Sequence, residues 1–112
     1  MTFASLDKRL GTKWRVPLAY ATYAERVNGD VYVKHHTSVI AVLSPDEVYV
    51  TNAGYETSTT ATRLRQILRD NHIPYTVRIQ QFRMRLARNF TSTWDDFSSA
   101  TFTKSENGWN LA

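Results

Sequence analysis

Seven arginines and no lysine lie between Thr57 and Phe90, against one acid, Asp70, a net +6. The rest of the chain holds seven basic and nine acidic residues, so the whole molecule is only +4. Charge sorted this unevenly suits an anionic partner, either nucleic acid or an acidic surface on another protein. Arginine without lysine suits bidentate contacts to phosphate, because the planar guanidinium offers paired donors. Arg78, Arg83 and Arg85 lead this reading, with Arg63, Arg65, Arg69 and Arg88 assisting. The competing role is a solvated fringe that protects a sheet edge from aggregation.

Other chemistry is weaker. Thr57, Ser58, Thr59 and Thr60, just ahead of Arg63, could hold a phosphate on the free N–H groups of a helix start. Such threonine clusters more often serve as a cap and a turn. Only Gly54 precedes them and no Gly-Lys-Ser/Thr follows, which excludes the phosphate loop of a nucleotide hydrolase. His35 and His36 are adjacent, so on a strand they would point to opposite faces, and His72 lies beyond a helix end. No metal site is expected from that spacing. Asp95-Asp96 suits the first turn of a tail helix better than catalysis, and no nucleophile motif frames the Ser, His and Asp residues. The absence of cysteine excludes disulfides, thiolate catalysis and cysteine-ligated metal. A non-enzyme without a cofactor is the expectation. Tyr20, Tyr23, Tyr32, Tyr49 and Tyr55 could stack bases on an open sheet face, although tyrosine more commonly packs cores and interfaces.

The apolar pattern defines the elements that must position these groups. Ala61, Leu64, Ile67 and Leu68 make the stripe of one main helix, begun by the threonines and stopped by Asn71 and Pro74. Residues Met1 to Trp14 read as a short helix, with Thr2 as cap, Gly11 as stop and Phe3, Leu6 and Leu10 on one face. Pro17 opens an extended segment, Leu18 to Val27, followed by a hairpin signal at Asn28-Gly29-Asp30 and a strand at Val31 to Val33. After the polar corner at Lys34 to Thr37, the run Val39 to Leu43 is apolar on both parities, as in a central strand covered on both faces. Ser44-Pro45-Asp46 turns the chain into a strand at Val48 to Thr51.

Beyond the main helix, Tyr75, Val77 and Ile79 alternate with polar residues, and the parity switches before Phe82, Met84 and Leu86. A hairpin loop at Gln80-Gln81 sets Ile79 opposite Phe82 and Val77 opposite Met84, with Arg78 facing Arg83 and Arg85 alongside; a β-bulge is the alternative. Facing arginines repel, which calls for an anion between them. In the tail, Trp94 and Phe97 fall at helical spacing behind Thr91 or Ser92, and the remainder reads as a loosely ordered or late-docking end.

One domain is expected, residues 1–112: an N-terminal helix and lead-in at 1–16, a sheet–helix–hairpin core at 17–89 and a tail at 90–112. The fold class is α+β. An antiparallel sheet of about five or six strands, a meander plus a C-terminal hairpin, carries the main helix on one face, with short terminal helices. The longest apolar run, Val39 to Leu43, is far too short to span a membrane, and the N-terminus lacks a signal-peptide pattern.

Several of these residues also form a motif. His36 and Thr37, then Asn52, Gly54, Tyr55, Thr57, Thr59, Thr60, Arg63 and Leu64, give a polar corner followed by Asn-x-Gly-aromatic-x-Thr-x-Thr-Thr and a basic helix. Over Tyr20 to Leu86 the chain resembles a family of small domains from tailed-phage genomes, with Ala53 where the family often has a second glycine. The resemblance implies a phage or prophage origin, a non-catalytic accessory role and the cytoplasm of the infected host; it brings no active site. The leading expectation is binding of nucleic-acid backbone, DNA or RNA, by the arginines. The alternatives are a protein-binding inhibitor of a host or anti-phage defence factor, or a structural, self-assembling phage protein. A homo-oligomer remains open on this reading.

Overall fold

The computed structural model describes residues 1–112. Helix α1 (Phe3–Leu10) forms where expected, closed by a reciprocal Thr2–Ser5 capping box and ended at Gly11, whose φ of 56° suits glycine. Five strands then run as an antiparallel meander: β1 (Arg15–Ala19), β2 (Thr22–Val27), β3 (Asp30–His35), β4 (Ser38–Ser44) and β5 (Glu47–Thr51). Asn28 and Gly29 both have positive φ, 51° and 86°, the conformation of a primed hairpin turn matched to strand twist. The segment expected to run extended from Leu18 to Val27 instead folds back at Tyr20-Ala21. That turn lacks glycine and carries no sequence signal, and Ala21 takes a φ of 50°.

Helix α2 (Ser58–Asp70) buries Thr60, Ala61, Leu64, Ile67 and Leu68, and the Thr57 hydroxyl accepts the Thr60 N–H as its cap. The chain continues through β6 (Tyr75–Gln80), β7 (Arg83–Arg88), β8 (Asp95–Asp96), β9 (Ser99–Ser105) and β10 (Gly108–Leu111). The strands form two antiparallel sheets, one of seven in the order β1-β2-β3-β4-β5-β9-β10 and one of three, β6-β7-β8. An α+β fold built on antiparallel sheets was expected, but with about five or six strands; there are ten.

The excess lies mostly in the tail. No helix forms over Trp94 and Phe97. Phe97 is buried, and β9 pairs with β5 along Glu47 to Thr51, so the tail supplies an interior strand of the large sheet. Phe102, fully buried on β9, packs its ring 5.1 Å from that of Tyr75 on β6 and so joins the two sheets. Twenty-one buried residues from both helices and both sheets make one contiguous core.

The double parity of Val39 to Leu43 also has a different cause from the one expected. A register shift opposite Val33 and Lys34 leaves Ile40 as an extra residue, so Ile40 and Ala41 are both buried on the inner side. Val39 and Val42 stay half-buried on the other side, in register with Lys34, Tyr32 and Tyr49. There Glu25, 7% exposed, is held between Arg15 at 3.2 Å and Lys34 at 3.1 Å, which compensates a carboxylate taken out of water. The molecule measures 43 × 34 × 18 Å; its short dimension accommodates two packed layers, and no third layer covers this outer sheet face.

Candidate nucleic-acid interface and a second polar cleft

The hairpin β6–β7 exists, with its loop displaced by one residue from the expected place. Gln81 and Phe82, at φ 53° and 65°, form the turn, rather than Gln80-Gln81. Ile79 therefore pairs with Met84 and Val77 with Leu86, and Phe82 leaves the apolar row to stand 92% exposed at the tip. No bulge is needed. The arginine pairing changes with the register: Arg78 faces Arg85, while Arg83 faces Gln80. Arg78, Arg83 and Arg85 still share the side opposite Val77 and Met84, since side chains alternate along each strand.

The repulsion between the facing arginines is answered from within the chain. Arg85 Nη1 lies 3.1 Å from Asp96 on β8, and the Arg78 guanidinium sits 3.8 Å from the centre of the Trp94 ring. Asp95-Asp96 thus belongs to a strand, and Asp96 supplies the anion that the sequence called for. Arg85 Nε is buried without a partner. Arg83 is only loosely engaged, its Nε 3.6 Å from Glu56.

The helical arginines are sorted differently. Arg65 donates to the Val77 carbonyl at 3.0 Å and to Thr62 Oγ1 at 3.0 Å, so it satisfies an acceptor on the free edge of β6. Arg69 projects with 77% of its side chain exposed. Arg63 points elsewhere: it is half-buried, and its Nε has no partner. Between α2 and β6 runs a groove of about 630 Å³, lined among others by Arg65, Arg69, His72, Tyr75 and Asn89, and by no acid. Arg88, exposed, lies 5.9 Å from the Tyr75 ring at its border. The seven arginines therefore occupy three settings: this groove, the outer side of the hairpin, and the half-buried position of Arg63.

A second cleft, about 390 Å³, was not legible as a cleft in the sequence. It is lined by His35, His36, Thr37, Ser38, Tyr55, Thr57, Thr59 and Thr60, with Ile40 as its apolar wall. Six of the motif residues, His36, Thr37, Tyr55, Thr57, Thr59 and Thr60, meet here. The remaining ones build it: Asn52 Oδ1 accepts the Gly54 N–H at 2.8 Å, and Asn52 Nδ2 donates to the Phe97 carbonyl at 2.9 Å. Ala53 takes a φ of 53°, a conformation that glycine adopts at less cost. The two histidines do not diverge. His36 turns at φ 56° at the end of β3, and the imidazole rings stand 4.5 Å apart, edge to face. Burial, and then the charges of His36 and Arg63, hold the His35 pKa below its ordinary 6.5. Nowhere do three or more His, Asp or Glu side chains converge, and no helix is long and apolar enough to cross a membrane.

Fold and surface together define a small α+β protein of two antiparallel sheets, with an acid-free basic groove beside its main helix. The family model described as "Kyanoviridae Gp96 protein" matches residues 8–107, and the chain belongs to that family of tailed-phage proteins. The match reaches beyond Tyr20 to Leu86 and takes in the end of α1 with Leu10, and all of β9, in keeping with their place in the core. No curated protein and no solved structure matches the chain.

Proposed function

We propose that this phage protein is a non-catalytic accessory factor that binds nucleic-acid backbone through the groove between α2 and β6, extended by the exposed arginines of the hairpin. The supporting observation is the groove itself: Arg65, Arg69 and His72 line it, Arg88 borders it, and no carboxylate enters it. Guanidinium groups on a concave surface are suited to a phosphate backbone, where the contact is electrostatic and largely indifferent to sequence. Arg69, Arg83, Arg88 and Arg78 contribute to contact, Arg65 holds the groove wall, and Arg63 and Arg85 act within the fold. In this reading the protein works inside the infected cell.

The test is fluorescence anisotropy with labelled single- and double-stranded oligonucleotides of unrelated sequence. Binding of similar strength to all sequences, falling steeply as salt rises, is expected. No binding at low salt overturns the proposal.

A second reading, assembly with itself or with a protein of the host or virion, is favoured by Phe82 and Phe90. Both are fully or almost fully exposed and both have positive φ, 65° and 66°, a conformation costly for a large aromatic residue. A concentration-independent monomer in sedimentation, with no change on Phe82→Ser, contradicts the self-assembly form of that reading.

A further inference from the structure

The groove and the hairpin leave Arg63 unused. It stands half-buried on α2, no carboxylate pairs with it, and its Nε is buried without a hydrogen-bond partner. A guanidinium withdrawn from water in this way is costly unless something answers its charge. The acids of the two helices are committed elsewhere. Asp70, the only acid of α2, lies about two turns further along the helix and binds the Met1 amine. Asp7, the only acid of α1, is paired with Arg26.

Arg63 lines a cavity of about 260 Å³ set between α1, α2 and the end of β1. Helix α1 contributes Ser5 and Arg9, four residues apart, and α2 contributes Arg63 and Gln66, three apart, so each pair stands on consecutive turns of one helix face. Leu6 and Leu18 form the apolar side, and no acid lines the cavity. Arg9 is anchored by a neutral partner only, its Nη2 donating to the Pro17 carbonyl at 2.9 Å. Two guanidinium groups from different helices thus share one cavity with their charge unanswered. The effect reaches His35, whose pKa is held down by burial, then by His36 and then by Arg63.

We propose that this cavity binds a phosphate group, either the free ion or the phosphoryl end of a small metabolite. A phosphate monoester carries close to two negative charges at neutral pH, which matches the two guanidinium groups, and its three terminal oxygens serve both forks and the Gln66 amide. A carboxylate would answer only one of the two charges. The cavity falls below the range usual for drug-sized ligands, which suits a group of this size. Bound there, the anion ties α1 to α2 and stabilises the fold by mass action. The site shares only Gln66 with the α2–β6 groove and stands whether or not the groove binds backbone.

The experiment is an NMR titration of ¹⁵N-labelled protein with inorganic phosphate, glycerol 3-phosphate and sodium chloride at matched ionic strength, reading the side-chain Nε–H signals of Arg63 and Arg9. Phosphate is expected to shift both signals along one saturation curve, and chloride to shift neither. Glycerol 3-phosphate that binds as tightly as phosphate, or more tightly, assigns the site to phosphorylated metabolites; weaker binding assigns it to the free ion. Arg63→Met keeps the apolar stem and removes an unpaired, half-buried charge, so the variant folds, yet the Arg9 shift should weaken at least tenfold. Arg9→Met gives the reciprocal reading on the Arg63 signal. Arg69→Ala with Arg88→Ala should leave both curves unchanged. No shift of either arginine at millimolar phosphate, an equal shift with chloride, undiminished binding after both substitutions to methionine, or loss of binding in the groove variant overturns the proposal.

Discussion

At the scale of single residues, the least favourable backbone is the hairpin tip, where Gln81 and Phe82 hold φ of 53° and 65°. A primed two-residue turn favours Asn-Gly, so Gln81→Asn with Phe82→Gly should stabilise the protein by about 1 kcal/mol. A thermal melt reads this as a rise in midpoint of several degrees. His35 gives a prediction of opposite kind. Its folded pKa is depressed by burial and by the charges of His36 and Arg63, so the unfolded chain takes up the proton first as pH falls. The stability it protects is complete above the unfolded value and declines as pH drops below about 6.5. Melts between pH 8 and 5 should show this decline, and His35→Gln should flatten it. The depressed pKa was not legible in the sequence, because it depends first on burial of the ring and then on the fold bringing Arg63 near it.

At the scale of elements, the tail reverses the expectation most sharply. Phe102 is fully buried on an interior strand, so Phe102→Ala should cost about 3–5 kcal/mol, measured by denaturant unfolding. A merely late-docking tail would lose far less. The strand SATFTKS escaped notice because Phe102 is its one large apolar residue; serines and threonines make up most of the rest, and Thr103 and Lys104 are exposed. Both helices N-terminal to the hairpin, by contrast, were legible from caps and stripes: Thr2 and Thr57 cap them as their hydroxyls suggest. The hairpin was legible from its parity switch, but not its loop, since Gln80-Gln81 and Gln81-Phe82 are equally poor turn sequences. That one-residue displacement decides which arginines face each other. Asp96→Ala removes the partner of Arg85, and Trp94→Ala that of Arg78; together they should cost about 1–2 kcal/mol of stability. In the backbone-binding account they should also strengthen oligonucleotide binding at low salt by freeing two cations.

At the scale of the whole molecule, the +6 stretch told where cations are concentrated, but the fold distributes them. Arg63, Arg65 and Arg85 are drawn into internal contacts or half-buried positions, while Arg69, only loosely paired with Asp70 at 3.9 Å, and Arg88 stay exposed beside an acid-free groove. Charge counting could not see this division, because it arises from the packing of α2 on the edge of β6. The polar cleft was likewise visible only as separate signals, a His-Thr corner and a threonine cluster 20 residues apart, which β4 and β5 bring together. The groove account is tested most directly by measuring oligonucleotide affinity against salt for the wild type and for Arg69→Ala with Arg88→Ala. The account predicts weaker binding to every sequence and a log–log salt slope shallower by about 2, one for each lost phosphate contact. An unchanged slope and affinity in the double variant would contradict it.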